Sequence, residues 1–247
     1  IAGKNTISDP QFKESDGTLK RFDFVVANPP FSVKNWTNGI SPIDDIFNRF
    51  RGYGTPPEKN GDYAFLLHIL ASLKSTGKGA VILPHGVLFR SGAEGAIRKY
   101  LIESDLLETV IGLAPNLFYG TTIPASLMFF RATKDKKRKK HILFIDASKR
   151  FGKGKAQNFL TDEDVEDIFA VYQSMGDIEK TNISARLVSH NEIEENNWDL
   201  NIGRYLKADA AEVVDVQDAL ASFDQARSDL AAAEKALLAK LKAAGYA

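Results

Sequence analysis

Three features of this 247-residue sequence predict a doubly wound α/β sheet, mostly parallel, with an antiparallel hairpin and a C-terminal helical extension. Apolar runs at 22–27 and 80–83 read as strands covered on both faces, and 106–113 looks like the next strand. Segments of helical length and composition separate them. Strand, helix, strand, helix is the signature of βαβ units, and no internal repeat competes with it.

The elements follow in order. FDFVVA at 22–27 reads as the first strand and runs into Asn28, Pro29, Pro30 and Phe31. YAFLLHILASL at 63–73 reads as a helix, and STGKG at 75–79 as a turn before a strand AVIL at 80–83. Ser91 and Glu94 have the spacing of a capping box, which predicts a helix through AIRKYLIES. The runs 126–131 and 141–145 flank a basic turn closely enough to be an antiparallel hairpin. Past residue 150 the composition shifts: Thr161 to Asp164 opens an acidic, amphipathic helix, and 182–205 is polar and irregular. The expected division is 1–150 as the main α/β domain, 151–206 as an appended segment, and 207–247 as a long alanine-rich helix. In that helix Val216, Phe223, Leu230, Leu237 and Ala244 recur at heptad spacing, with Ala219, Ala226 and Ala233 between them. It packs either on its own domain or on another polypeptide.

Composition narrows the function classes. Apolar residues make up 44% of the chain and the formal charge is zero, as in globular proteins. The longest apolar runs fall well short of the roughly 20 residues of a membrane helix. With no cysteine there is no disulfide, thiolate zinc site or cysteine nucleophile, which fits a reducing compartment; cytoplasm is the expectation. The four histidines lack metal-ligand spacing, so no metal is expected, and His68 in its apolar helix reads as a core residue. The sequence opens on Ile1, which reads as the C-terminal part of a longer protein. KDKKRKK at 134–140 is either a solvated turn or a phosphate contact through Lys136, Lys137, Arg138 and Lys139. The long stretch 32–60, with Trp36, reads as a mobile substrate-side loop.

The Asn28 loop carries the sharpest signal. In doubly wound sheets ligands bind outside the carboxyl ends of strands, where Asn28 falls. Each proline biases the residue before it toward extended backbone and neither carries an N–H, so the turn is stiff and rich in acceptors. Two convergent acceptors, the Asn28 side-chain oxygen and the Pro29 carbonyl, suit an amino group with two hydrogens, and Phe31 offers a face for a planar ring. Polarising both N–H bonds turns a delocalised aryl amine into a nucleophile; asparagine is no base, so the proton leaves after attack. A plain turn that ends a strand is the alternative.

Asn28–Phe31 resembles the catalytic motif of S-adenosylmethionine-dependent amino-methyltransferases, above all the N6-adenine DNA methyltransferases. GDYAFLLHIL at 61–70, GKGAVILPHGVLF at 77–89, NLFYGTTIPASLMFF at 116–130 and IEENNWDLNIGRYL at 193–206 resemble, in order and spacing, the modification subunit of type I restriction-modification systems. The resemblance implies a methyltransferase-type sheet lacking its first strands, and adenine-N6 methylation of double-stranded DNA with the target base flipped out. It makes Asn28 and Pro29 the acceptors of the adenine amino group within the catalytic motif Asn28, Pro29, Pro30, Phe31. Phe31 and Phe118 become the two stacking faces, and Asn5, Asp62 and Phe65 the cofactor contacts. It further implies a specificity subunit, a second modification subunit and a restriction subunit as partners, with the C-terminal helix as a subunit contact. The family's glycine-rich loop and ribose-binding acid precede the motif and are not among residues 1–27, so the chain by itself is expected to be inactive. Competing readings are a methyltransferase for a protein glutamine amide or an rRNA guanine amino group, whose motif usually ends in tyrosine, and a non-catalytic assembly fragment.

Overall fold

The computed structural model describes residues 4–180, 182–206 and 216–246. It divides the chain into two compact units, 1–206 and 207–247. In the first, the elements in chain order are β1 (Phe22–Ala27), α1 (Asp62–Ala71), β2 (Leu73–Pro84), α2 (Ala93–Glu103), β3 (Leu107–Leu113), β4 (Ala125–Arg131), β5 (His141–Ala147), a two-residue ribbon of β6 (Gly152–Lys153) and β7 (Asn158–Phe159), α3 (Asp162–Ser174), β8 (Ile178–Lys180), β9 (Ile183–Ser189), α4 (His190–Glu195) and α5 (Ile202–Tyr205). The second unit contains α6 (Val216–Ala243), a helix of 28 residues with Phe223, Leu230 and Leu237 exposed. Residues 207–215 of the expected long helix lie outside the described residues, as do the side chains of the heptad positions Val216 and Ala219.

Seven strands form one sheet in the order β1-β2-β4-β3-β5-β9-β8. The β1–β2 and β3–β5 pairs are parallel and the other four antiparallel, so five strands run one way and only β4 and β9 oppose them. One sheet face, through Val81, Leu83, Val110, Met128 and Phe144, is buried with α1, α2 and α5. The other, through Ile111, Leu113, Leu143 and Ile145, is buried with Ile168 and Val171 of α3. Over β1 that second face stays open, leaving Phe24 70% and Val26 79% exposed.

Four expectations are corrected. The hairpin between 126–131 and 141–145 does not form: β3 lies between β4 and β5, paired antiparallel to the first and parallel to the second. Every residue of β3 is buried, and a central strand of that kind needs a neighbour on each edge. The observed hairpin is β8–β9. Residues 75–79 are a bulge inside β2 rather than a turn: Phe22 aligns with Leu73 but Phe24 with Lys78. The capping box of α2 is absent; its N-cap is Gly92, at φ +71°, and Glu94 turns to Arg90 instead. The box at Thr161 and Asp164 does form, with both reciprocal bonds present. Residues 151–206 are no appendage, since β8 and β9 extend the sheet and α3 covers it.

The loop 32–60 is a packed structure rather than a mobile one. Trp36 and Phe50 are buried with rings 5.3 Å apart, and the Trp36 indole donates to the Pro57 carbonyl at 2.8 Å. Arg49, 1% exposed, bonds both Asp45 oxygens at 2.7 and 3.0 Å and approaches His68 Nδ1 at 3.4 Å. Burial first, and the Arg49 charge second, push the His68 pKa down to about 4. His190 is likewise pushed down to about 4 by burial, then by Lys134. As pH falls from 6.5 toward 4, unfolded chains bind two protons that the folded chain refuses, so folding stability is lost across that window. The unfolding free energy from urea titrations is expected to be lower at pH 5 than at pH 7 by about 1 kcal/mol per histidine. Replacing both by glutamine should remove that part of the dependence.

Candidate active site

The strand pairing fixes where the Asn28 loop sits. Ala27 aligns with Val81, so Asn28 emerges at the end of the sheet where Pro84 pairs with Ala125, the carboxyl edge of β1 and β2. Pro29 is buried, whereas Asn28 and Pro30 are exposed. Within the described residues the Asn28 amide makes no hydrogen bond, which leaves its oxygen and its two N–H groups for a ligand. Beside it lies a cavity of about 620 Å³ whose lining includes Asn28, Pro29, Pro30, Phe65 and His68. Lys4 and Thr6 line its far side.

Not every expected residue converges there. Phe65 lines the cavity with Asn28, but the Asn5 side-chain oxygen closes a local turn, accepting from Ile7 N–H at 2.9 Å and Ser8 N–H at 3.3 Å. Asp62 is fully buried and both its oxygens are engaged, one by the Ser32 N–H and one by Arg90, each at 2.7 Å. Asp62, expected as a cofactor contact, is not among the residues that line this cavity.

Phe31 and Phe118 do meet, although not as a slot. Their centroids are 5.8 Å apart and their planes inclined at 64°, an edge-to-face contact. A base held between two parallel rings needs roughly 7 Å, two carbon–carbon contacts of about 3.5 Å. Phe118 thus occupies the space beside Phe31, and a stacked base enters only if that ring withdraws. Its loop joins β3 to β4 and carries the exposed Tyr119 and Gly120 at φ +76°.

The basic run is at the opposite edge of the sheet. Arg131 pairs with Lys78 while Ala125 pairs with Pro84, so the turn after Arg131 lies at the amino edge, about 20 Å along the strands from Asn28. Arg138 is held by Glu108 at 2.5 Å and near the Tyr172 hydroxyl at 3.3 Å, and Lys134 is buried against Asp105 at 2.7 Å. Lys136, Lys137 and Lys139 remain exposed. Of the four residues expected to contact phosphate, the three lysines are thus open to solvent on a turn remote from Asn28, while Arg138 is engaged by Glu108. The Arg131–Glu108–Arg138 cluster was missed in the sequence, where the partners stand 23 and 30 residues apart.

Unbonded acceptors in a proline-rich turn at the strand ends of a doubly wound sheet, beside a cavity, lie where α/β proteins of this class take their ligands. The chain belongs to the N-6 DNA Methylase family, whose profile matches residues 1–213. It is 35% identical over 208 residues to the type I restriction enzyme MpnII methylase subunit of Mycoplasma pneumoniae, covering 83% of this chain and 37% of that one. To the MjaIX methylase subunit of Methanocaldococcus jannaschii it is 36% identical, over 75% of this chain and 35% of that one. A solved structure of a type I restriction-modification system methyltransferase subunit from Streptococcus thermophilus superposes with a TM-score of 0.71 at 41% identity, covering 82% of this chain and 41% of that one. The chain thus spans little more than a third of the length of the curated relatives it matches.

Proposed function

We propose that this chain supplies the substrate side of the catalytic unit in a site-specific DNA adenine-N6 methyltransferase, the modification subunit of a type I restriction-modification complex. The observation that carries the reading is the Asn28 amide, exposed and without an internal bond, directly followed by two residues that have no N–H. The Asn28 oxygen and the Pro29 carbonyl together offer two acceptors, which fits an exocyclic amine with two hydrogens to donate. That several relatives are methylase subunits of type I enzymes supports adenine in DNA as the substrate.

The cofactor is S-adenosylmethionine, which when bound supplies a methyl group on a positively charged sulfur. The cavity beside Asn28 fits part of such a molecule, with the Phe65 ring as a wall for it. The Asn28 oxygen and the Pro29 carbonyl draw the two adenine N–H bonds, which concentrates the lone pair on nitrogen. Phe31 stacks on the flipped base while Phe118 withdraws and closes over its other face, offsetting part of the few kcal/mol that unstacking costs. The proton is released after transfer, when the nitrogen has become acidic. Partners are a specificity subunit that reads the DNA, a second modification subunit and, where one is present, a restriction subunit, all in the cytoplasm.

The test is product analysis. Complete protein with its specificity subunit, tritiated S-adenosylmethionine and duplex DNA should yield N6-methyladenine; label in protein glutamine or in guanine would assign the loop to another amine. Residues 1–247 alone are expected to show no saturable cofactor binding by calorimetry, because residues 1–27 hold no glycine-rich phosphate or ribose loop.

A further inference from the structure

The turn from Asn28 to Phe31 has almost no means of fastening itself. Its two prolines lack N–H groups, and its asparagine side chain bonds to nothing in the described chain. On the entry side, β1 is anchored where Ala27 pairs with Val81. On the exit side the backbone passes through Ser32 at φ +51°, a left-handed conformation that a non-glycine residue holds only when its surroundings impose it. What imposes it is the start of α1. Asp62 Oδ1 accepts the Ser32 N–H at 2.7 Å, and the neighbouring Gly61 N–H donates to the Val33 carbonyl at 2.9 Å. Two successive residues of one segment thus clamp two successive residues of the other.

The clamp is itself held. Asp62 Oδ2 takes a bond from Arg90 Nη2 at 2.7 Å, and Arg90 is fixed in turn by Glu94 through Nε and Nη2. Asp62 and Glu94 are both buried, while Arg90 remains 31% exposed. A buried carboxylate with a single backbone partner would be costly; the guanidinium makes it tenable and fixes its orientation.

We propose that Asp62 is a positioning residue for the amine-binding turn, setting the Phe31 ring and the Pro29 carbonyl by locking Ser32, with Arg90 and Glu94 as its supports. The inference rests on the reading of that turn as the adenine-binding element. Asp62 touches no substrate. Its contribution is to the alignment of acceptors, and a displacement of about 1 Å in such a group is enough to cost about a hundredfold in rate.

The experiment compares Asp62→Ala and Asp62→Asn with the parent in the complete, assembled enzyme. Asp62→Ala is expected to lower kcat about 100-fold while KM for S-adenosylmethionine and for DNA stays unchanged. Asparagine can still accept the Ser32 N–H, so Asp62→Asn should keep kcat within about fivefold. In parallel, hydrogen exchange at the Ser32 amide should accelerate at least about tenfold in Asp62→Ala, with the amides of α1 and β2 unaltered. An unchanged Ser32 exchange rate, or a raised KM for cofactor at constant kcat, overturns the proposal. If Asp62→Ala does not fold, Arg90→Gln, at a partly exposed side chain, is read in the same way: faster Ser32 exchange supports the clamp and an unchanged rate overturns it. If the parent enzyme methylates no adenine, the proposed function fails, and the exchange measurements alone decide whether Asp62 positions the turn.

Discussion

Asn28→Ala in the complete protein is expected to lower methyl transfer about 10²–10³-fold, with cofactor and DNA affinity within twofold of the parent. The side chain is solvent-exposed and makes no internal hydrogen bond, so its loss leaves fold and assembly intact. What disappears is one of two acceptors that concentrate electron density on the substrate nitrogen, an interaction stronger in the transition state than in the ground state. Steady-state kinetics with tritiated cofactor, alongside gel filtration of the complex, separates this outcome from a scaffolding role. A scaffold would assemble normally with Asn28→Ala and lose nothing.

The largest stability effect is expected at the other end of the sheet. Glu108, 3% exposed on β3, holds Arg131 and Arg138 and accepts from the Tyr172 hydroxyl at 2.7 Å. Glu108→Ala leaves two largely buried guanidinium groups without their shared carboxylate and should cost about 3 kcal/mol. For a chain of this size that corresponds to a fall in Tm of roughly 6–12 °C by calorimetry. Glu108→Gln keeps an acceptor and should cost about half as much. Since Tyr172 belongs to α3, the same substitution is expected to loosen α3 from the sheet, read as faster amide exchange in Asp162–Ser174 before global unfolding. A small shift in Tm with unchanged exchange in α3 would show that the cluster is a surface feature and not a tie between layers.

The two experiments probe opposite edges of one sheet, which is why the basic turn matters. Read as sequence, KDKKRKK is a charge run that follows a strand whose preceding loop carries Phe118. Its remoteness from Asn28 follows only from β4 running antiparallel to β2, which carries the chain from the carboxyl edge to the amino edge between Ala125 and Arg131. Charge runs mark phosphate sites only where the fold delivers them.

Much of the candidate site was legible because it is local. The strand before Asn28, the two prolines, the helix beginning near Tyr63 and the cap at Thr161 all depend on residues within four positions of one another, and the structure contains each. The α/β class followed from the alternation of such segments, and it too stands. Partner choice was decided only in three dimensions. Adjacency along the chain suggested that the strands around the basic turn pair, but β3, buried along its whole length, lies between them. Glu94 had the spacing of a capping residue, but a guanidinium four residues earlier competed for its carboxylate more strongly than a backbone N–H. Asp62 read as a cofactor contact, and its carboxylate accepts from the Ser32 N–H, thirty residues away. The sequence by itself determined the local elements and the chemistry of the Asn28 turn, since short-range sterics and apolar periodicity settle those. The tertiary structure alone decided which strands are neighbours, which edge each loop occupies and which charges are engaged, because those outcomes depend on burial and charge pairing between residues that no short window contains.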